Sequence, residues 1–100
     1  METEKILQDI TKPFIMAGLY KDEKSVLTDI TLDYIERKIK RYNRTILTLK
    51  KKYKSDFKQF SLAIKNKATL DQEDDWMDWK SAIEMRRSWN NVQKMIINNE

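Results

Sequence analysis

Five carboxylates crowd one short stretch of this chain: Asp71, Glu73, Asp74, Asp75 and Asp78. Oxygen ligands of this kind suit hard cations such as Mg²⁺ and Ca²⁺. The run lacks the EF-hand spacing and its central glycine. Negative charge is also what the first turn of a helix attracts, so the cluster reads as a helix start, and neither metal nor cofactor is expected. The 100-residue chain contains no histidine and no cysteine. That removes the usual zinc sites, a nucleophile with a histidine base, and haem ligation by histidine. Carboxylates and lysines remain, but without a recognisable convergent polar site the expectation is a protein that is not an enzyme and takes no small-molecule substrate.

Binding is the better-supported chemistry. Trp76, Trp79 and Trp89 lie with Arg86 and Arg87 within about four turns, and Trp and Arg are the types enriched at binding hot spots. Together with Ala82, Ile83, Val92 and Ile96 the tryptophans make an apolar stripe that Arg86 interrupts. Either the tryptophans fill the core of a small bundle, or one or more is covered by a partner. Three of them facing one interior in so short a chain favours a partner surface made of Trp76, Trp79, Ile83, Arg86, Arg87 and Trp89.

Charge is distributed unevenly. The net charge of +4 resolves into −2 over residues 1–31, +7 over 32–54 and −1 over 55–100. A basic helix of this kind can lie on nucleic-acid phosphates, with Arg37, Lys40, Arg41, Arg44 and Lys51 as the contacts. It can equally be a solvated face, or the counterpart of the acidic stretch. Asn43 is the sole base-reading type within it, so any DNA binding would be driven by phosphate contacts.

These residues need helices to hold them. One glycine and one proline in 100 residues cannot supply the turns of a strand-rich fold, so an all-α helical bundle is expected, as a single domain. An N-terminal helical segment spans 3–20, with Ile6, Leu7, Ile10, Phe14 and Ala17 on one face. Pro13 either kinks it or opens a second short helix, and Gly18 caps its end. Asp22 or Ser25 caps a long helix over 23–54. In it Leu32, Ile35, Ile39, Tyr42, Ile46, Leu49 and Tyr53 alternate steps of three and four, a heptad seam suited to an intrachain core or to a homodimeric coiled coil. Ser55 is the expected cap of a short helix over 56–66, residues 66–72 form a loop, and an amphipathic C-terminal helix spans 74–97. No run approaches the roughly 20 apolar residues of a membrane span, and the acidic N-terminus is not a secretory signal. The expected location is the cytoplasm, with no membrane partner.

The stretch Lys52-Tyr53-Lys54-Ser55-Asp56-Phe57-Lys58-Gln59-Phe60, followed by Asp74-Asp75-Trp76-Met77-Asp78-Trp79-Lys80-Ser81-Ala82, resembles small antitoxin-like proteins of prokaryotic toxin–antitoxin pairs, archaeal and cyanobacterial among them. In those a long helix ends in a KYG-type stretch, an acidic loop follows, and a D-aromatic-x-E/D-W-x-A motif opens the C-terminal helix. Phe14-Ile15-Met16-Ala17-Gly18-Leu19-Tyr20-Lys21-Asp22-Glu23 is similar to the AGLYKSEEE turn that precedes the long helix there. Lys54 stands where that pattern often has glycine. The resemblance implies a type II antitoxin that masks a cognate toxin protein, commonly an RNase, often as a homodimer and in some cases on operator DNA. The function expected is therefore an antitoxin-like module docking through the C-terminal helix. The alternatives are a nucleic-acid-binding protein using the basic face, or a structural coiled-coil subunit.

Overall fold

The computed structural model describes residues 2–99, and these form an all-α bundle of four helices. The helices are α1 (Glu2–Met16), α2 (Glu23–Tyr53), α3 (Phe57–Ile64) and α4 (Leu70–Asn98). No helix among the described residues is long and apolar enough to cross a membrane. The chain divides into two compact units, the first ending at Ile35 and the second beginning at Glu36, so α2 contributes to both.

In the first unit α1 runs through Pro13 as one helix. It ends in a Schellman closure: the Gly18 N–H donates to the Ile15 carbonyl at 3.0 Å and the Leu19 N–H to that of Phe14 at 3.1 Å. Gly18 sits at φ +77°, the left-handed conformation such an ending needs, and that conformation favours glycine. Asp22 then caps α2, accepting from the Ser25 N–H at 2.8 Å; the Ser25 side chain first, then this backbone bond, holds its carboxyl below the usual aspartate range. The Tyr20 hydroxyl donates to Asp29, and the Tyr20 ring meets Phe14 edge-on at 6.0 Å. Thr11, Val26 and Ile35 are fully buried, and Thr11 satisfies its hydroxyl on the Leu7 carbonyl at 2.9 Å.

In the second unit the end of α2 and helices α3 and α4 enclose a core of Ile46, Leu49, Phe60, Trp79 and Ala82. Tyr42, Tyr53, Phe57, Ile64, Trp76 and Ile83 pack against it, half-buried. The centre is aromatic. The Trp79 ring lies 5.5 Å from Phe60, 5.6 Å from Phe57 and 6.4 Å from Tyr53. Offset ring pairs at these separations add stabilisation beyond the area they bury.

Helix boundaries depart from expectation where capping chemistry decides them. Asp56, not Ser55, is the N-cap of α3, in a reciprocal box with Gln59. Residues 70–72 are helical rather than loop. Thr69 caps α4 by accepting from the Gln72 N–H at 3.2 Å, while the Gln72 side chain accepts from the Thr69 N–H at 2.9 Å. The acidic cluster consequently lies inside the first turns of α4. Helix α2 ends at Tyr53 because Lys54 turns left-handed at φ +51°, and α3 ends at Ile64, two residues before Asn66 at φ +63°.

Candidate functional site

Helix α4 distributes its predicted contact residues between two roles. Trp79 is 1% exposed and belongs to the core. Arg86 is half-buried and donates through Nη1 to the Asn43 side chain at 2.6 Å, tying α4 to α2. The Asn43 amide oxygen is therefore occupied within the fold. Trp76, Ile83 and Arg87 remain at the edge of the core. At about 100° per residue, Trp76, Lys80, Ile83, Arg87, Asn90 and Lys94 form one continuous ridge along α4. Lys80, Arg87 and Lys94 are exposed there, and Trp89 is half-buried on another part of the helix.

Trp76 is held rigidly. Its indole N–H donates to the Ser61 hydroxyl at 2.8 Å, and Ser61 donates on to the Phe57 carbonyl at 2.7 Å. Phe57 stacks on the indole at 5.7 Å, and the Lys80 ammonium lies 5.3 Å from a ring centroid of Trp76. An open groove of about 700 Å³ runs beside it, between Ile64, Lys65 and Lys67 on one side and Trp76 and Met77 on the other. A smaller depression of about 250 Å³ follows along the same helix, lined by Ile83, Arg86, Arg87, Asn90 and Lys94.

The heptad seam of α2 is taken up in part within the chain. Ile46 and Leu49 are core residues of the second unit, with Tyr42 and Tyr53 packed on them. Ile35 is 2% exposed, and Leu32 and Ile39 are half-buried. A repeat of three and four positions buries a helix against any neighbouring helix, and in the second unit α4 of the same chain supplies that neighbour.

The basic residues of α2 fall on its outer side. Arg37, Arg41, Arg44, Thr48 and Lys51 share one face at about 100° per residue, and all five are exposed. Arg41 and Arg44 border a depression of about 500 Å³ with Thr48 and Asp78. Lys40 forms an exposed pair with Glu36 at 3.6 Å.

A polar cluster that sequence reasoning missed sits at the end of α2. Asp75 accepts from the Lys52 ammonium at 2.6 Å and from the Tyr53 hydroxyl. The Lys52 bond first, then that of Tyr53, holds the Asp75 carboxyl below its ordinary range. The Asp75 bond and burial push the Tyr53 phenol up. The signal available was Asp75 itself, four residues before Trp79 and thus on the core-facing side of α4. Among the described residues no group of three or more potential ligands is placed to hold a metal ion. No family model, curated protein or solved structure matches the chain.

Proposed function

We propose that this chain is a non-enzymatic, antitoxin-like binding protein that masks a partner protein through the outer ridge of α4. The observation that carries this reading is the ridge from Trp76 to Lys94. It offers a pinned indole and the Ile83 side chain beside two open depressions, with Lys80, Arg87 and Lys94 at the rim. Its apolar centre and cationic border fit a partner that presents aliphatic or aromatic side chains within an acidic rim. Docking works by occlusion, a helix face laid over a functional surface. The sequence resemblance to antitoxins supports the same reading and suggests a toxin as the partner.

The test uses substitutions rather than truncation. Removing the chain from Asp74 onward would take Trp79 and Ala82 out of the core and unfold the unit that is to be tested. Tagged full-length chain recovered from its native cells should bring a stoichiometric protein with it. Arg87→Glu together with Lys94→Glu should abolish that recovery at unchanged helicity. Recovery that survives both changes would refute the assignment of the ridge.

A second reading has its own support. The exposed face of Arg37, Arg41, Arg44 and Lys51 spans about 21 Å of helix at 1.5 Å per residue, a length over which several phosphates of a duplex recur. Duplex affinity falling steeply with salt, and lost in Arg41→Ala/Arg44→Ala, would establish it. Absence of duplex binding at low salt would remove it.

A further inference from the structure

The side of α4 turned away from its own core carries a second apolar stripe. Met77, Ser81, Met85, Ser88, Val92 and Met95 follow one another in steps of four, four, three, four and three. At about 100° per residue they stand on one face, roughly 130° around the helix from the Trp76–Lys94 ridge. All are exposed, Met77 and Met95 at 64%, Val92 at 41% and Met85 at 38%. This is the pattern of a helix–helix seam, with methionines as adaptable apolar knobs and serines small enough for close approach.

The charge of α4 states what fits there. From Leu70 to Ile83 the helix has five acids against Lys80, a net −4. From Glu84 to Asn98 it has Arg86, Arg87 and Lys94 against one acid, a net +2. A helix with this polarity is complementary to an antiparallel copy of itself, and antiparallel alignment also opposes the helix dipoles favourably. We infer that α4 pairs with α4 of a second copy of this chain, antiparallel, through the Met77–Met95 stripe. Met77 then faces Val92 of the other copy, Ser81 faces Ser88, and Met85 sits beside the two-fold axis. In that register Glu73 comes level with Lys94 of the other copy and Glu84 with Arg87, so the charges along the two helices agree with the antiparallel alignment. The pairing requires no other partner, and although Met77 also lines the groove beside Trp76 and Arg87 and Lys94 also border the ridge, oligomeric state and crosslink register test it separately from capture of a different protein.

A contact along one helix face falls near or below the ~1,200 Å² lower limit of stable interfaces, so the dimer belongs in roughly the micromolar range. Sedimentation of the full chain should show a shift from 12.1 kDa to twice that mass as concentration rises. Met85→Glu should weaken the association by about tenfold or more at unchanged helicity, since it places two carboxylates at the axis. The natural chain has no cysteine, so single introduced cysteines report the register directly. Met85→Cys should crosslink to itself under mild oxidation. Met77→Cys should not, because its two copies lie about 23 Å apart by helix rise. Mixed Met77→Cys and Val92→Cys chains should crosslink to each other. A chain that remains monomeric up to roughly 100 µM overturns the proposal and leaves the face to a different protein. A dimer untouched by Met85→Glu, or self-crosslinking of Met77→Cys, overturns it equally, the first by placing the interface elsewhere and the second by making it parallel.

Discussion

Replacing Trp79 separates a core role from a docking role. Its indole is 1% exposed and ringed by Phe60, Phe57 and Tyr53 at 5.5–6.4 Å. Trp79→Ala forfeits the transfer energy of the side chain, leaves a cavity, and loses three ring contacts. The expected cost is about 3–5 kcal/mol. A chain of this length holds about 5–15 kcal/mol in total, so the loss is a large fraction of its stability. With a urea m-value near 1.5 kcal/mol/M, a loss of about 4 kcal/mol lowers the unfolding midpoint by about 2–3 M. Trp79→Phe keeps a ring in the cluster but still removes buried volume, so it should cost about 1.5–3 kcal/mol, a midpoint shift of about 1–2 M. Far-UV circular dichroism across a urea series measures both. The phenylalanine variant carries the test if the alanine variant is unfolded without urea, and it should still capture whatever partner the parent captures. A Trp79→Ala midpoint within about 0.5 M of the parent would refute the placement of Trp79 at the centre of the core.

Lys54→Gly should raise stability by about 0.5–1 kcal/mol, because position 54 is left-handed at φ +51° and a Cβ is penalised there; thermal melts of the two chains decide it. Asp56→Ala and Thr69→Ala each remove half of a reciprocal capping box and should each cost about 1 kcal/mol in urea unfolding. Tyr53→Phe deletes the hydroxyl bond to Asp75 and should cost about 1 kcal/mol by the same assay. Asp75 is depressed below 3.8 by its Lys52 and Tyr53 bonds. Its contribution is therefore fully present above that pH and is lost as pH falls through its lower native value. Urea midpoints of the wild type should drop more steeply on acidification below about pH 4 than those of Asp75→Asn; parallel pH profiles would refute the linkage.

Periodicity and composition made the helices legible, while their ends depended on chemistry that periodicity does not contain. Turn-poor composition and the three–four spacing of Ile46, Leu49 and Tyr53 make α2 a helix with one apolar face, and the structure packs that end of the face into the core. The acidic cluster marks the start of α4, but only the capping box of Thr69 and Gln72 places that start at Leu70 rather than Asp74. Lys54 illustrates the opposite problem. A glycine there would announce the end of α2, but a lysine forced left-handed by the short link to Asp56 leaves no mark in the sequence. The candidate site divides along the same line. Spacing alone put Trp76, Trp79, Ile83, Arg86 and Arg87 on one helix, but not which of them would turn inward. A helix of 29 residues carries about eight turns, and only the α2 and α3 side chains packed against it determine that Trp79 and Arg86 are consumed by the fold. Ile83 and Arg87 sit one turn apart and stay at the boundary for the same reason: the core is already closed by Ile46, Leu49 and Phe60. Once Trp79, Ile46 and Leu49 are assigned to that core, Met77, Met85, Val92 and Met95 are left in solvent together on the opposite side of α4. The pairing proposed above rests on that remaining stripe, while Ile46 and Leu49 of the α2 seam are already packed within the chain.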